Sequence, residues 1–98
     1  MQSRENYERA VAIVASVVRE WDPYALLAAG APPDEFEAEI AKVVTYVPHI
    51  RNAHDATQAL SSVFSAAFEP HLFTPAACAQ QGTVLFARLV AAGLAVHA

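Results

Sequence analysis

Apolar residues recur at steps of three and four through four separate stretches of this chain. That spacing puts each set on one side of an α-helix and is incompatible with the strict alternation a half-buried strand requires. Tyr7, Ala10, Val11, Val14, Val17, Val18 and Trp21 form the first row, with Arg4, Glu5, Glu8, Arg9, Arg19 and Glu20 largely off it and Ser3 placed as N-cap. Phe36, Ile40, Val43, Val44 and Val47 form the second. Ala56, Leu60, Val63, Phe64, Ala67 and Phe68 form the third, and Cys78, Leu85, Leu89 and Ala92 the fourth.

The segments between the rows carry start and stop signals. Asp22-Pro23 sets a capping carboxylate before a proline, so a helix of one or two turns is expected over Ala25 to Ala29, ending at Gly30 and Pro32-Pro33. Asp34-Glu35-Phe36-Glu37 opens the next helix with acids where the macrodipole favours them, and Pro48 stops or kinks it. Asn52 with Asp55 resembles a capping pair, Glu69 to Phe73 reads as a loop, and Thr74-Pro75 starts the last helix. Gly82 falls on the buried row, which predicts close approach of another helix or a break. The expected fold is a single all-α domain spanning 1–98, a compact bundle of four main helices plus one short helix after Trp21-Asp22-Pro23. Short loops place successive helices side by side.

Composition supports this and excludes several classes. The chain is 55% apolar, but 22 of its 98 residues are alanine, and the larger apolar side chains are an ordinary supply for one core. Ala10 to Val18 and Val84 to Val96 are shorter than the roughly 20 residues needed to cross a bilayer, and the second contains Arg88. No secretory signal is recognisable, so a cytoplasmic protein with no membrane role is expected. The single Cys78 rules out a disulfide framework. A formal net charge of −4 with no basic face argues against DNA or RNA.

Catalytic and metal-binding patterns are weak. His49 and His54 are five apart across a helix break, His71 is in a loop and His97 is at the terminus, so no zinc set or other cofactor is expected. Serines 3, 16, 61, 62 and 65 lie in no nucleophile elbow, and glycines 30, 82 and 93 make no phosphate loop. Cys78 is the one candidate nucleophile, near a helix start that lowers a thiol pKa, but it also lies on the apolar row. Charge placement is more informative. From Glu20 to Glu39 there are six acids (Glu20, Asp22, Asp34, Glu35, Glu37 and Glu39) and no Lys or Arg. Much of this serves caps and helix starts; the alternative is an acidic corner that steers a basic partner. Trp21 and Tyr24 flank it, as core residues pinning the first helix to the short one or, if exposed, as interface anchors.

The stretch from Glu20 to Ile40 resembles small bacterial proteins of domain-of-unknown-function family 1871. Its shared features are Trp21-Asp22-Pro23, a short hydrophobic turn, Ala31-Pro32, and then Asp34-Glu35-Phe36-Glu37. Val63-Phe64 with Phe68, and Thr74-Pro75 with Cys78, are similar to the family's third helix and last-helix start. The resemblance reaches from the first helix to about residue 90 and implies a compact helical fold, a bacterial source and no established activity. The doubled Pro32-Pro33, Pro48 and the alanine-rich last helix depart from it. The frame is also similar in kind to small helical immunity proteins.

The function expected is therefore that of a non-enzymatic helical interaction protein, immunity- or antitoxin-like in its sharpest form. Trp21, Asp22, Tyr24, Asp34, Glu35, Glu37 and Glu39 are its candidate contacts with a basic protein partner. Two alternatives stand beside it. One is a small-ligand or thiol-redox protein centred on Cys78 with His71 nearby. The other is a homo-oligomer formed through residues 84–96.

Overall fold

The computed structural model describes residues 3–32 and 34–95, so Pro33, Val96 and His97 lie outside the described residues. Four helices carry the fold: α1 (Arg4–Trp21), α2 (Glu37–Tyr46), α3 (Ala53–Ala67) and α4 (Pro75–Ala91). Among the described residues there is no strand. α1 packs on α2 and α4, and α3 packs on the same two, so the contacts close a ring of four around one core. α3 and α4 make the most extensive contact, as expected of helices joined by a short connection.

The expected caps form where the sequence places them. Ser3 Oγ accepts from Asn6 N–H at 3.0 Å, Asn52 Oδ1 from Asp55 N–H at 2.8 Å, and Thr74 Oγ1 from Ala77 N–H at 3.3 Å. Asp55 reaches back to accept from Arg51 N–H, a reciprocal arrangement of the capping-box kind. Pro48 ends α2 in a single 3₁₀ turn over Val47–His49, and Pro70–Leu72 forms another in the loop before α4.

Two boundaries differ from expectation. The short helix after Pro23 is replaced by a 3₁₀ turn (Pro23–Ala25) and one further turn closed at Gly30. Asp22, Tyr24 and Ala25 there have φ of 46°, 62° and 52°, a left-handed run that no regular helix contains. Gly30, at φ 99°, closes the turn: Gly30 N–H bonds Leu27 C=O while Ala31 N–H bonds Leu26 C=O, the paired bonds of a Schellman stop. The acids at 34–35 lie in a turn ahead of α2 and not in its first turn, because the helix begins at Glu37. Phe36, at its N-cap position, caps nothing and is buried instead.

Asp22 explains how the left-handed run is held. It ends α1 through its own N–H, which bonds Val18 C=O. Its carboxylate then crosses the turn, Oδ1 accepting from Leu27 N–H at 2.8 Å and Oδ2 from Ala28 N–H at 3.0 Å. Bonds to an ionised acceptor are the stronger kind, so Asp22→Ala is expected to cost about 2 kcal/mol. That corresponds to roughly 8–16 °C in the unfolding midpoint of a domain this size. Asp22→Asn is expected to recover about half, since Asn tolerates a positive φ and retains one acceptor. Equal midpoints for wild type and Asp22→Ala in a thermal melt would remove this role.

The core is built largely as the apolar rows predict; of the row residues, Tyr7 and Ala67 are exposed, and Val11, Trp21, Phe68 and Ala92 are half-buried. Val14, Val18, Phe36, Val43, Val44, Val47, Leu60, Phe64, Cys78, Leu85 and Leu89 are essentially inaccessible. Tyr7, at the start of the first row, is 49% exposed, and Val11 is only half-buried. At Gly82 the two longest-contacting helices meet so closely that an added Cβ would lie 2.7 Å from Thr57 Cα. α4 continues unbroken through it.

Candidate functional site

The acidic segment separates into acids the fold uses and acids it leaves open. Glu20 belongs to the first group: both its carboxylate oxygens accept from the Arg88 guanidinium at 2.8 Å, which links α1 to α4. Arg88 also donates to Ser16 Oγ, and its hydrogen bonds hold the Glu20 carboxyl below the usual carboxylate range. Asp22 also belongs there, its oxygens committed to the turn. Elsewhere Glu8 pairs with Arg4, Asp55 with the Arg51 N–H, and Glu69 with His71. The carboxylates of Asp34, Glu35, Glu37 and Glu39 have no hydrogen bond or ion pair among the described residues, and neither does that of Glu5. The first three of these four are exposed and Glu39 is half-exposed. Of the acidic corner expected from sequence, the carboxylates at 34–39 are uncommitted, while Asp22 serves as an internal acceptor.

Trp21 and Tyr24 enter an aromatic cluster. Trp21 packs on Phe64 with ring centroids 5.0 Å apart and meets Phe73 edge-on at 5.7 Å. It is thus pinned to α3 and the loop after it, not to a short helix as expected. Tyr24 sits edge-on to Phe68 and Phe73 while staying 45% exposed. Phe36 joins the same cluster through Phe64 and Phe68. The backbone strain at Tyr24 is thereby coupled to ring packing, and Tyr24 is the more exposed of the pair.

A cavity of about 370 Å³ lies between α1 and α2, lined by Tyr7, Val11, Ala15, Arg19, Glu37, Ile40 and Ala41. Four of these form one row at i, i+4 steps along α1, and Glu37 contributes one of the open carboxylates. Tyr7, Val11 and Arg19 were not readable as a site, since Tyr7 and Val11 fit the buried row equally well. The only signal was that this row runs wider than one partner helix can cover. Cavities of about 220 and 210 Å³ lie between Trp21 and Gln81, and between Tyr46 and Ser62. The first is bordered by the Glu20 held by Arg88, and the second by the Asp55 held at the α3 cap.

Cys78 is fully enclosed, and burial pushes its thiol pKa up, opposite to the shift a nucleophile requires. His71 is occupied with Glu69 in the exposed 3₁₀ turn. Neither observation supports the thiol-redox alternative. Cys78 is expected to resist an alkylating reagent at neutral pH in the folded protein and to react at the rate of a free thiol in denaturant. Comparable rates in both states, followed by mass spectrometry, would contradict the burial. Among the described residues no three His, Cys, Asp or Glu side chains gather as a metal set.

The apolar surface expected on both sides of the last helix is partly consumed within the fold. Leu85 and Leu89 are core, and Val84, Phe86 and Leu94 pack against it. Among the described residues of 84–95 no large apolar side chain is fully exposed. Arg9 donates to Ala92 C=O, tying the end of this segment to α1. No helix among the described residues is long and apolar enough to cross a membrane.

These features define a small all-α bundle with a group of uncommitted carboxylates on its surface around the start of one helix. Residues 13–88 match the model of the family described as Domain of unknown function (DUF1871), and the chain belongs to that family. No curated protein and no solved structure matches it.

Proposed function

We propose that this chain is a non-enzymatic interaction protein that binds a basic protein surface through Asp34, Glu35, Glu37 and Glu39. One observation carries the reading: of the ten acids in the chain, Glu8, Glu20, Asp22, Asp55 and Glu69 have internal partners, whereas the carboxylates of Asp34, Glu35, Glu37 and Glu39, unlike the isolated Glu5, lie unpaired together within six residues. Arg19 shares the cavity with Glu37, and Lys42 follows three residues after Glu39, so this group counts four acids against two bases. Unpaired like charges held together repel one another, a cost that a complementary partner removes on binding. A helix start also tolerates them better than any other backbone position. Tyr24 supplies an exposed aromatic anchor on the segment leading into this group. An immunity- or antitoxin-like role is the narrower form of the reading, supported by the small helical frame with acids concentrated in one segment.

The test is capture from an extract of the source organism at low salt, with wild type beside a variant carrying Asp34→Lys, Glu35→Lys and Glu37→Lys. All three positions are exposed, so the variant keeps its fold. Partners held by wild type and lost by the variant support the reading. The same partners returning on both would overturn it.

A further inference from the structure

We propose that the groove between α1 and α2 receives the basic partner as an amphipathic helix whose apolar face is bordered by lysine or arginine. This rests on the acidic-edge reading above and adds the place and the form of the contact. The α1 wall is the row Tyr7, Val11, Ala15, Arg19. At 1.5 Å per residue it runs about 18 Å, the length of three helical turns. Ile40 and Ala41 of α2 complete an apolar floor in which Ala15 and Ala41 present only methyl groups, so a helix can lie close. The volume of about 370 Å³ is within the range of sites that enclose ligand groups. Tyr7, nearly half exposed, stands at the α1 side as an aromatic contact.

Charge complementarity selects the occupant. Glu37 lines the groove without a partner, and Asp34 and Glu35 precede it in the turn ahead of α2. Against these stand Arg19, also unpaired in the groove, and Lys42 beside Ala41. The rim is therefore negative at the α2 start and positive at Arg19. A basic helix meets this with its cationic side chains toward Glu37, and with a carboxylate or its carbonyl end toward Arg19. A second copy of this chain fits less well, because its own net charge of −4 repels the acidic rim.

The probe is a synthetic 15-residue helical peptide with leucines at i, i+4, i+7 and i+11 and flanking lysines, titrated into the full chain and followed by amide and methyl NMR. Two companions replace the leucines by serine or the lysines by glutamate. Saturable shifts at Tyr7, Val11, Ala15, Ile40 and Ala41 are expected with the leucine–lysine peptide alone. Ala41→Trp, at an exposed position, is expected to weaken binding about tenfold by filling the groove, and Glu37→Lys by a similar factor. Tyr7→Ala, also exposed, provides a second groove variant. If Glu37→Lys weakens binding while Ala41→Trp and Tyr7→Ala bind as wild type, the groove is wrong and the acidic edge stands. If the lysine and glutamate peptides bind equally, both are wrong.

Discussion

Gly82→Ala is expected to lower the unfolding midpoint by roughly 10–20 °C, equivalent to about 2–3 kcal/mol in a domain of this length. The sign is the informative part. In an exposed helix interior the same change stabilises by about 1 kcal/mol, because Ala loses less backbone entropy than Gly. Here the added methyl would meet Thr57 Oγ1, with Thr57 Cα at 2.7 Å and Cβ at 2.8 Å. A flexible side-chain tip can swing away, but a backbone Cα on the facing helix cannot. α3 and α4 must separate, and theirs is the largest helix pairing in the fold. Thr57→Ala is not expected to rescue the variant, since Cα and Cβ remain. A midpoint at or above wild type for Gly82→Ala would show that the two helices do not approach this closely.

Phe64→Ala carries the other large effect, about 3–5 kcal/mol. Domains of this size are stable by about 5–10 kcal/mol, so the change removes between a third and most of the margin. Phe64 is fully buried and touches the rings of Trp21, Phe36, Phe68 and Phe73, joining α1, the α2 start and the loop before α4. Its removal leaves a cavity that no single neighbour can fill. Trp21, the only tryptophan, lies 5.0 Å away and reports the loss by a red shift of its emission. Phe64→Leu is expected to cost less than half as much. A cost below about 1 kcal/mol in denaturant titration would mean that the aromatic cluster does not organise the core.

The helices were readable because their signals are local. Three-and-four spacing, Ser3, Asn52 and Thr74 as caps, and Pro48 as a stop each act within one or two turns, and each forms as expected. Gly82 was readable from its place on the buried row as a close approach or a break, and only packing decides for the close approach. The segment from Asp22 to Phe36 was not readable. Its left-handed residues are held by contacts that spacing does not encode: the Asp22 carboxylate reaching five and six residues ahead, and Tyr24 packing on Phe68 and Phe73. Proline and aspartate signalled that the chain turns there, but not in which hand.

The candidate site followed the same division. That acids cluster between 20 and 39 is plain in one dimension. Which of them are spent inside the fold depends on Arg88, sixty-eight residues from Glu20, and on two backbone N–H groups beyond Asp22. The α1–α2 groove was hidden because Tyr7 and Val11 share the periodicity of the buried row, and only packing shows that α2 leaves them partly uncovered.

Family membership assigns no activity, and the proposed function rests on the uncommitted acids at 34–39. Exposed charge pairs steer association and weaken as salt screens them, whereas apolar contact is far less salt-sensitive. The most direct measurement is the affinity of a captured partner for wild type and for the Asp34→Lys, Glu35→Lys, Glu37→Lys variant, across a series of salt concentrations. Wild-type binding is expected to weaken steeply as salt rises, and the variant to bind weakly at low salt with little further dependence. Equal affinities and equal salt slopes for the two proteins would contradict a role for these carboxylates in recognition.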